Sequence, residues 1–152
     1  MEWIVWDDSL ETGLAELDED HRQLMKIINR LADGVTNHRG MAFIMAVFDE
    51  FIEHAQLHFA MEERLMAHHD YPKAKHHAAH HTALLEELSG SIEAITPDSA
   101  PSVALLDFLE AWLKHHILSR KWPAPFPGLP EPSAPAPLFP PAWLTWRAIL
   151  LG

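Results

Sequence analysis

The sequence predicts an all-α protein: an up-down antiparallel four-helix bundle with an N-terminal arm and a Pro-rich C-terminal tail. Three observations predict it. Apolar residues recur at spacings of three and four along four separate stretches, the period of a helix that buries one face. The connections between those stretches are short, which makes successive helices antiparallel neighbours. Within Ala55 to His81, His58 with Glu62 and His77 with His81 stand four residues apart, so each pair shares a helix face and can close on one metal ion.

Composition narrows the class. A chain of 152 residues, 48% of them hydrophobic, has the length of one domain and enough apolar residues for a core. A formal charge of -11 argues against a nucleic-acid surface, which needs clustered Lys and Arg to meet phosphates. Without cysteine there are no disulfides, thiolate metal sites or catalytic thiol. The opening MEWIVWDDSLE is acidic and aromatic rather than basic and then apolar, so it does not read as a secretory signal, and a cytoplasmic location is expected. All 12 histidines lie between His21 and His116, the strongest compositional clue to function.

Residues 1 to about 17 carry Trp3, Trp6 and the turn Thr12-Gly13 without a sustained helical period, as expected for an arm whose aromatic residues cap the core. Asp18 is the expected N-cap of the first helix, with Leu17, His21, Leu24, Ile28, Leu31 and Val35 inward. A histidine in such a stripe must find a partner or cost stability. The second helix is expected from about Met41 to His69, with Ile44, Val47, Phe48, Phe51, Ala55, His58, Glu62 and Leu65 on one seam. Glu62 is the informative member, because a carboxylate rarely sits in an apolar seam unless it is paired or bound to metal. Glu63, one position off that face, is expected to matter little. His54, one turn before His58, is a weaker alternative ligand.

The third helix, expected from about Lys73 to Ile95, offers two histidine registers. Extended forward, the face of His77 and His81 continues through Leu84, Leu88, Ile92 and Ile95, whereas that of His76 and His80 continues through Ala83, Glu87 and Ser91. His77 and His81 therefore point inward. The same test on the fourth helix, about Ser102 to Lys121, places Leu105, Leu109, Trp112, Leu113, His116 and Ile117 inward and selects His116 over His115. Two units follow: a bundle over 1–121 and a tail over 122–152. Nine of the 12 prolines fall in that tail, which reads as an extended linker followed by a short apolar end. Its final apolar run is too short to span a membrane, and no partner for it can be named.

Five histidines and one glutamate from four helices thus face one interior: His21, His58, Glu62, His77, His81 and His116. Imidazole and carboxylate without thiolate suit iron, zinc, copper or manganese. Five or more ligands exceed one tetrahedral site and favour two ions roughly 3.5–4 Å apart, bridged by Glu62.

The stretches ELDEDH (16–21), HFAMEE (58–63), YPKAKHHAAHH (71–81) and WLKHHI (112–117) resemble the hemerythrin family, specifically the bacterial hemerythrins, in order and spacing over residues 3 to about 120. The resemblance implies a non-haem di-iron centre that binds O2 reversibly. It implies that His77, His81 and His116 hold one iron, that His21 and His58 hold the other, and that Glu62 bridges them. It further implies that Phe59, Trp112, Leu113 and Ile117 line a dry O2 pocket. One position departs from the family pattern: Lys121 stands where a second bridging aspartate is expected, which puts the two-histidine iron in doubt. Storage, delivery or sensing of O2 is the function implied. A di-iron oxidase, peroxidase or iron-handling protein, or a metal-poor structural bundle, is the alternative.

Overall fold

A computed structural model describes residues 2–93, 95 and 103–118. Four helices run α1 (Ala15–Thr36), α2 (Met41–His68), α3 (Ala74–Glu93) and α4 (Val103–Leu118), preceded by a short 3-10 turn at Asp8–Leu10. Helix α1 packs on α2 and α4, and α2 packs on α3. The indole Nε1 of Trp112 donates to the carbonyl of Leu84 at 3.2 Å and ties α4 to α3. His21 near the start of α1, Glu62 towards the end of α2, His77 near the start of α3 and His116 at the end of α4 all meet at one end of the bundle. Only an alternation of helix directions brings those four positions together.

The apolar stripes close into one core. Leu24, Ile28, Leu31, Phe48, Phe51, Leu88, Leu106 and Leu109 are buried within it. Each such side chain contributes about 1.5–3 kcal/mol relative to an exposed one. Helix α1 comes close to α2 at Gly34, where a Cβ would stand 2.5 Å from the Phe43 ring. Gly40, at φ +87°, begins α2 in a conformation that only glycine adopts at little cost.

Two interhelical turns repeat one device. After α1, Arg39 N–H donates to the Gly34 carbonyl at 3.0 Å and His38 N–H to that of Val35 at 3.3 Å. After α2, Tyr71 N–H reaches the Met66 carbonyl at 2.9 Å and Asp70 N–H that of Ala67 at 3.3 Å. Both are Schellman closures, which place one residue in the left-handed region. Here those residues are His38 at φ 51° and Asp70 at φ 49°, neither of them glycine.

The arm's aromatic residues cap the core as expected: Trp3 and Trp6 pack against it half-buried, with Ile4 and Leu10 buried beside them. Asn29 of α1 fixes the arm by accepting from Trp3 N–H and Ile4 N–H at 2.8 and 2.9 Å and donating to the Ile4 carbonyl at 2.9 Å. Asp18 is not the N-cap of α1, which is Leu14. It lies inside the first turn, where its Oδ1 accepts from the amide and hydroxyl of Thr12 at 2.8 and 2.7 Å. On α2 the buried position near the end is Met66, with Leu65 half-buried. Val35, Ile92 and Leu105 pack against the core half-buried, Ile95 is also half-buried, and Leu106 is the more deeply buried neighbour of Leu105 on α4. Lys121, the end of the fourth helix and the tail lie outside the described residues.

Candidate metal centre

The centre is built around a carboxylate that has no business in an apolar core without partners. Glu62 is 1% exposed and is the hub of the cluster. Its two oxygens face different imidazoles. Oε1 lies 3.4 Å from His58 Nε2, 3.6 Å from His116 Nε2 and 3.9 Å from His21 Nε2. Oε2 lies 2.9 Å from both His77 Nε2 and His81 Nε2. Five imidazoles therefore turn the same ring nitrogen toward one carboxylate, three on one oxygen and two on the other. All five rings are buried.

Helix geometry explains the arrangement. His58 with Glu62 and His77 with His81 are stacked one turn apart on the inward faces of α2 and α3. His76 and His115, on the rejected registers, are exposed, and His80 is half-buried. His54 is also half-buried and lies outside the ring, with its Nε2 3.9 Å from Asp20 Oδ1.

Outer carboxylates fix two of the rings. His81 Nδ1 lies 2.9 Å from Glu63 Oε1, and His58 Nδ1 lies 3.4 Å from Asp20 Oδ2. With Nδ1–H donated outward, Nε2 is the nitrogen that faces inward, the orientation typical of a metal-bound imidazole. Neither partner was found from spacing: Glu63 sits 18 residues from His81, and Asp20 sits 38 from His58. The motif EE at 62–63 was the available signal, since two adjacent carboxylates face different sides of α2 and only one can be the hub.

The residues fit a metal and fit little else. Both ring nitrogens of His21 are buried with no hydrogen-bond partner among the described residues. His58 Nε2 and His116 Nε2 approach to 3.2 Å. Such a contact puts at most one proton between two lone-pair donors, whereas a cation would satisfy both. Two overlapping groups could hold an ion, His21 with His58, Glu62 and His116, and Glu62 with His77 and His81. His116 shares the first group, whereas the family resemblance pairs it with His77 and His81. Its ring is equally placed, 5.3 Å from His58 and 5.3 Å from His81 between centroids.

Charge follows the same geometry. Burial pushes His21 down to about 2, helped by repulsion from His58 and His116, so the ring is neutral. Burial likewise pushes His116 down to about 4, against the pull of Glu62. For His58, burial is outweighed by the carboxylates of Asp20 and Glu62, which raise it to about 9. Burial works against ionised Glu62, yet the histidines around it hold it well below the usual carboxylate range.

Two aromatic rings, Phe59 and Trp112, flank the histidine cluster. Phe59, Trp112, Leu113 and Ile117 are all buried. The Phe59 ring stacks on His81 at 3.9 Å and 4° and lies 4.9 Å from His116. The Trp112 ring lies 5.8 Å from Phe59, with its only polar atom satisfied by Leu84.

Sequence comparison decides the family. The hemerythrin HHE cation binding domain model matches residues 12–120. The chain belongs to the hemerythrin family. A bacteriohemerythrin of Clostridium acetobutylicum is 31% identical over 122 residues, 77% of this chain and 95% of that protein. The bacteriohemerythrin of Stenotrophomonas maltophilia is 29% identical over 117 residues, 77% of this chain and 76% of that protein. The myohemerythrin of Riftia pachyptila is 29% identical over 113 residues, 74% of this chain and 83% of that protein. Each of these is the kind of molecule this hemerythrin-family bundle is similar to over its helical part. Among the described residues no helix is long and apolar enough to cross a membrane.

Proposed function

We propose that this chain is a cytoplasmic, non-haem di-iron protein that binds O2 for storage, delivery or sensing and does not turn over a substrate. Family membership supports iron and O2 binding without catalysis at the level of the family. The observation that carries the di-iron reading is the Glu62 carboxylate with three Nε2 atoms on one oxygen and two on the other. A single ion would leave part of that set without a role. His21, His58, Glu62, His77, His81 and His116 would hold the metal, with Glu62 shared between the two positions. Whichever side takes His116, the imidazoles divide three and two.

Iron in this centre supplies the redox-active site at which O2 binds. The chain does the rest: Asp20 and Glu63 orient two imidazoles, while Phe59, Trp112, Leu113 and Ile117 exclude water. Lys121 is the finer part of the reading. With no second carboxylate to offset two cations in a low-dielectric interior, the position with two histidines should fill last.

Iron per chain and the visible spectrum in and out of air test this. The chain is expected to hold nearer one iron than two, with weak oxygen-dependent absorption, and Lys121→Asp should raise both. If the unmodified chain already holds two irons and oxygenates reversibly, the aspartate is dispensable. If neither chain shows an oxygen-dependent spectrum when loaded with iron, O2 binding is not its function.

A further inference from the structure

The histidine register that the core rejects has a geometry of its own. His76 and His80 stand one turn apart on the outward side of α3, the spacing that lets two imidazoles close on one ion. From α4, His115 brings its ring to 5.8 Å from that of His80, tilted by 55°. Within the buried cluster, ring pairs facing the common centre lie between 4.2 and 5.6 Å, so the outer pair is only slightly wider than the widest inner one. His80 Nε2 is buried with no hydrogen-bond partner among the described residues. A buried ring nitrogen without a partner costs free energy, which a bound cation would recover. Among the described residues no acid is bonded to these three imidazoles, so ion pairing does not account for their placement.

We propose that His80 and His115, with His76 as third ligand, form a second, outer metal site that takes a borderline divalent transition ion, copper(II) or zinc(II). Neutral imidazole suits these ions, and copper(II) is bound most tightly of the divalent series. His80 and His115 bridge α3 and α4, so the ion would clasp two helices that Trp112 and Leu84 already join on the inside. The site does not depend on what fills the inner centre.

Copper(II) titration of the full chain, followed by electron paramagnetic resonance, tests it. Beyond any copper taken by the inner imidazoles, one equivalent with nitrogen hyperfine structure should bind in the parent chain and in a His77→Ala/His81→Ala chain that lacks the inner pair. His80→Ala and His115→Ala should each weaken that equivalent by more than about 100-fold, beyond the roughly 10–100-fold that loss of a merely supporting residue costs. His76→Ala should weaken it less. In the iron-loaded chain the same equivalent should enter without loss of the visible iron absorption. Unchanged copper affinity in His80→Ala/His115→Ala, or uptake only at the expense of iron, would overturn the outer site.

Discussion

At one end of the bundle Leu31, Ile44, Phe48, Leu88 and Leu106 fill the space between the helices with apolar side chains. About 15 Å along α1, at the other end, His21 joins four more imidazoles and a carboxylate in a space equally sealed from water. The first end is stable by area alone. The second holds polar atoms whose burial is only partly compensated, as the unpartnered nitrogens of His21 show. One fold thus carries a region that stabilises the bundle and a region of buried polar atoms that the bundle must stabilise.

That contrast can be broken most severely at its two centres. Glu62→Ala should remove nearly all bound iron, measured by elemental analysis, while the helical circular dichroism persists, because the apolar end is untouched. Phe48→Ala should do the reverse, lowering unfolding free energy by about 3–5 kcal/mol in a urea titration while iron per folded chain stays the same. Loss of iron in folded Phe48→Ala protein would show that the two ends are coupled.

A pH series on metal-free protein separates the ends by sign. His21 and His116 have folded values of about 2 and about 4, below the ordinary 6.5, so the unfolded chain takes up protons that the folded chain refuses. Stability should therefore fall as pH drops from 6.5 toward 4. His58, raised to about 9, contributes fully below 6.5, and that contribution is lost as pH rises through 9. Stability of the metal-free chain should peak near pH 6.5. Phe48→Ala should lower the whole curve without moving its maximum, and a displaced maximum would contradict the assignment of the titration to the histidine end.

Glu63 is a smaller lever at the same end. Through His81 Nδ1 it holds the ring whose Nε2 faces Glu62, so Glu63→Ala should cost roughly 10–100-fold in metal affinity, with Glu63→Gln in between. An affinity equal to the parent's would restore the expectation drawn from sequence, that Glu63 is inert.

Glu63 shows where sequence reading stops. Helical periodicity reports which face a residue occupies, and it sorted His77 from His76, His81 from His80 and His116 from His115 as the structure does. It found the hub at Glu62 for the same reason, an acid in an apolar stripe. It cannot report what stands across from a residue just off that face. Glu63 and Asp20 acquire their partners from other helices, so no spacing along the chain encodes the contact. Asp18 misled for a related reason: an acid at the start of a helical period looks like an N-cap, yet here the arm folds back and Thr12 takes its oxygen. Leu65 and Met66 differ by one position, the usual error where a stripe drifts around a long helix.

The smallest effect is expected at the turns, one at each end of the bundle. His38 closes α1 at the apolar end and Asp70 closes α2 at the histidine end, both in left-handed backbone. Holding an ordinary residue there costs about 1–2 kcal/mol, whereas aspartate tolerates it better by bonding to its own backbone. Glycine removes that strain but loses about 0.5–1 kcal/mol through the freedom of the unfolded chain. His38→Gly should therefore stabilise the bundle by less than about 1 kcal/mol, and Asp70→Gly should stabilise it less still. Urea midpoints of both variants, with iron per chain measured alongside, check this. Neither should change iron content, because each turn acts on the backbone and not on the centre. A fall in stability for His38→Gly would mean that the imidazole of His38 makes a contribution larger than the strain it imposes.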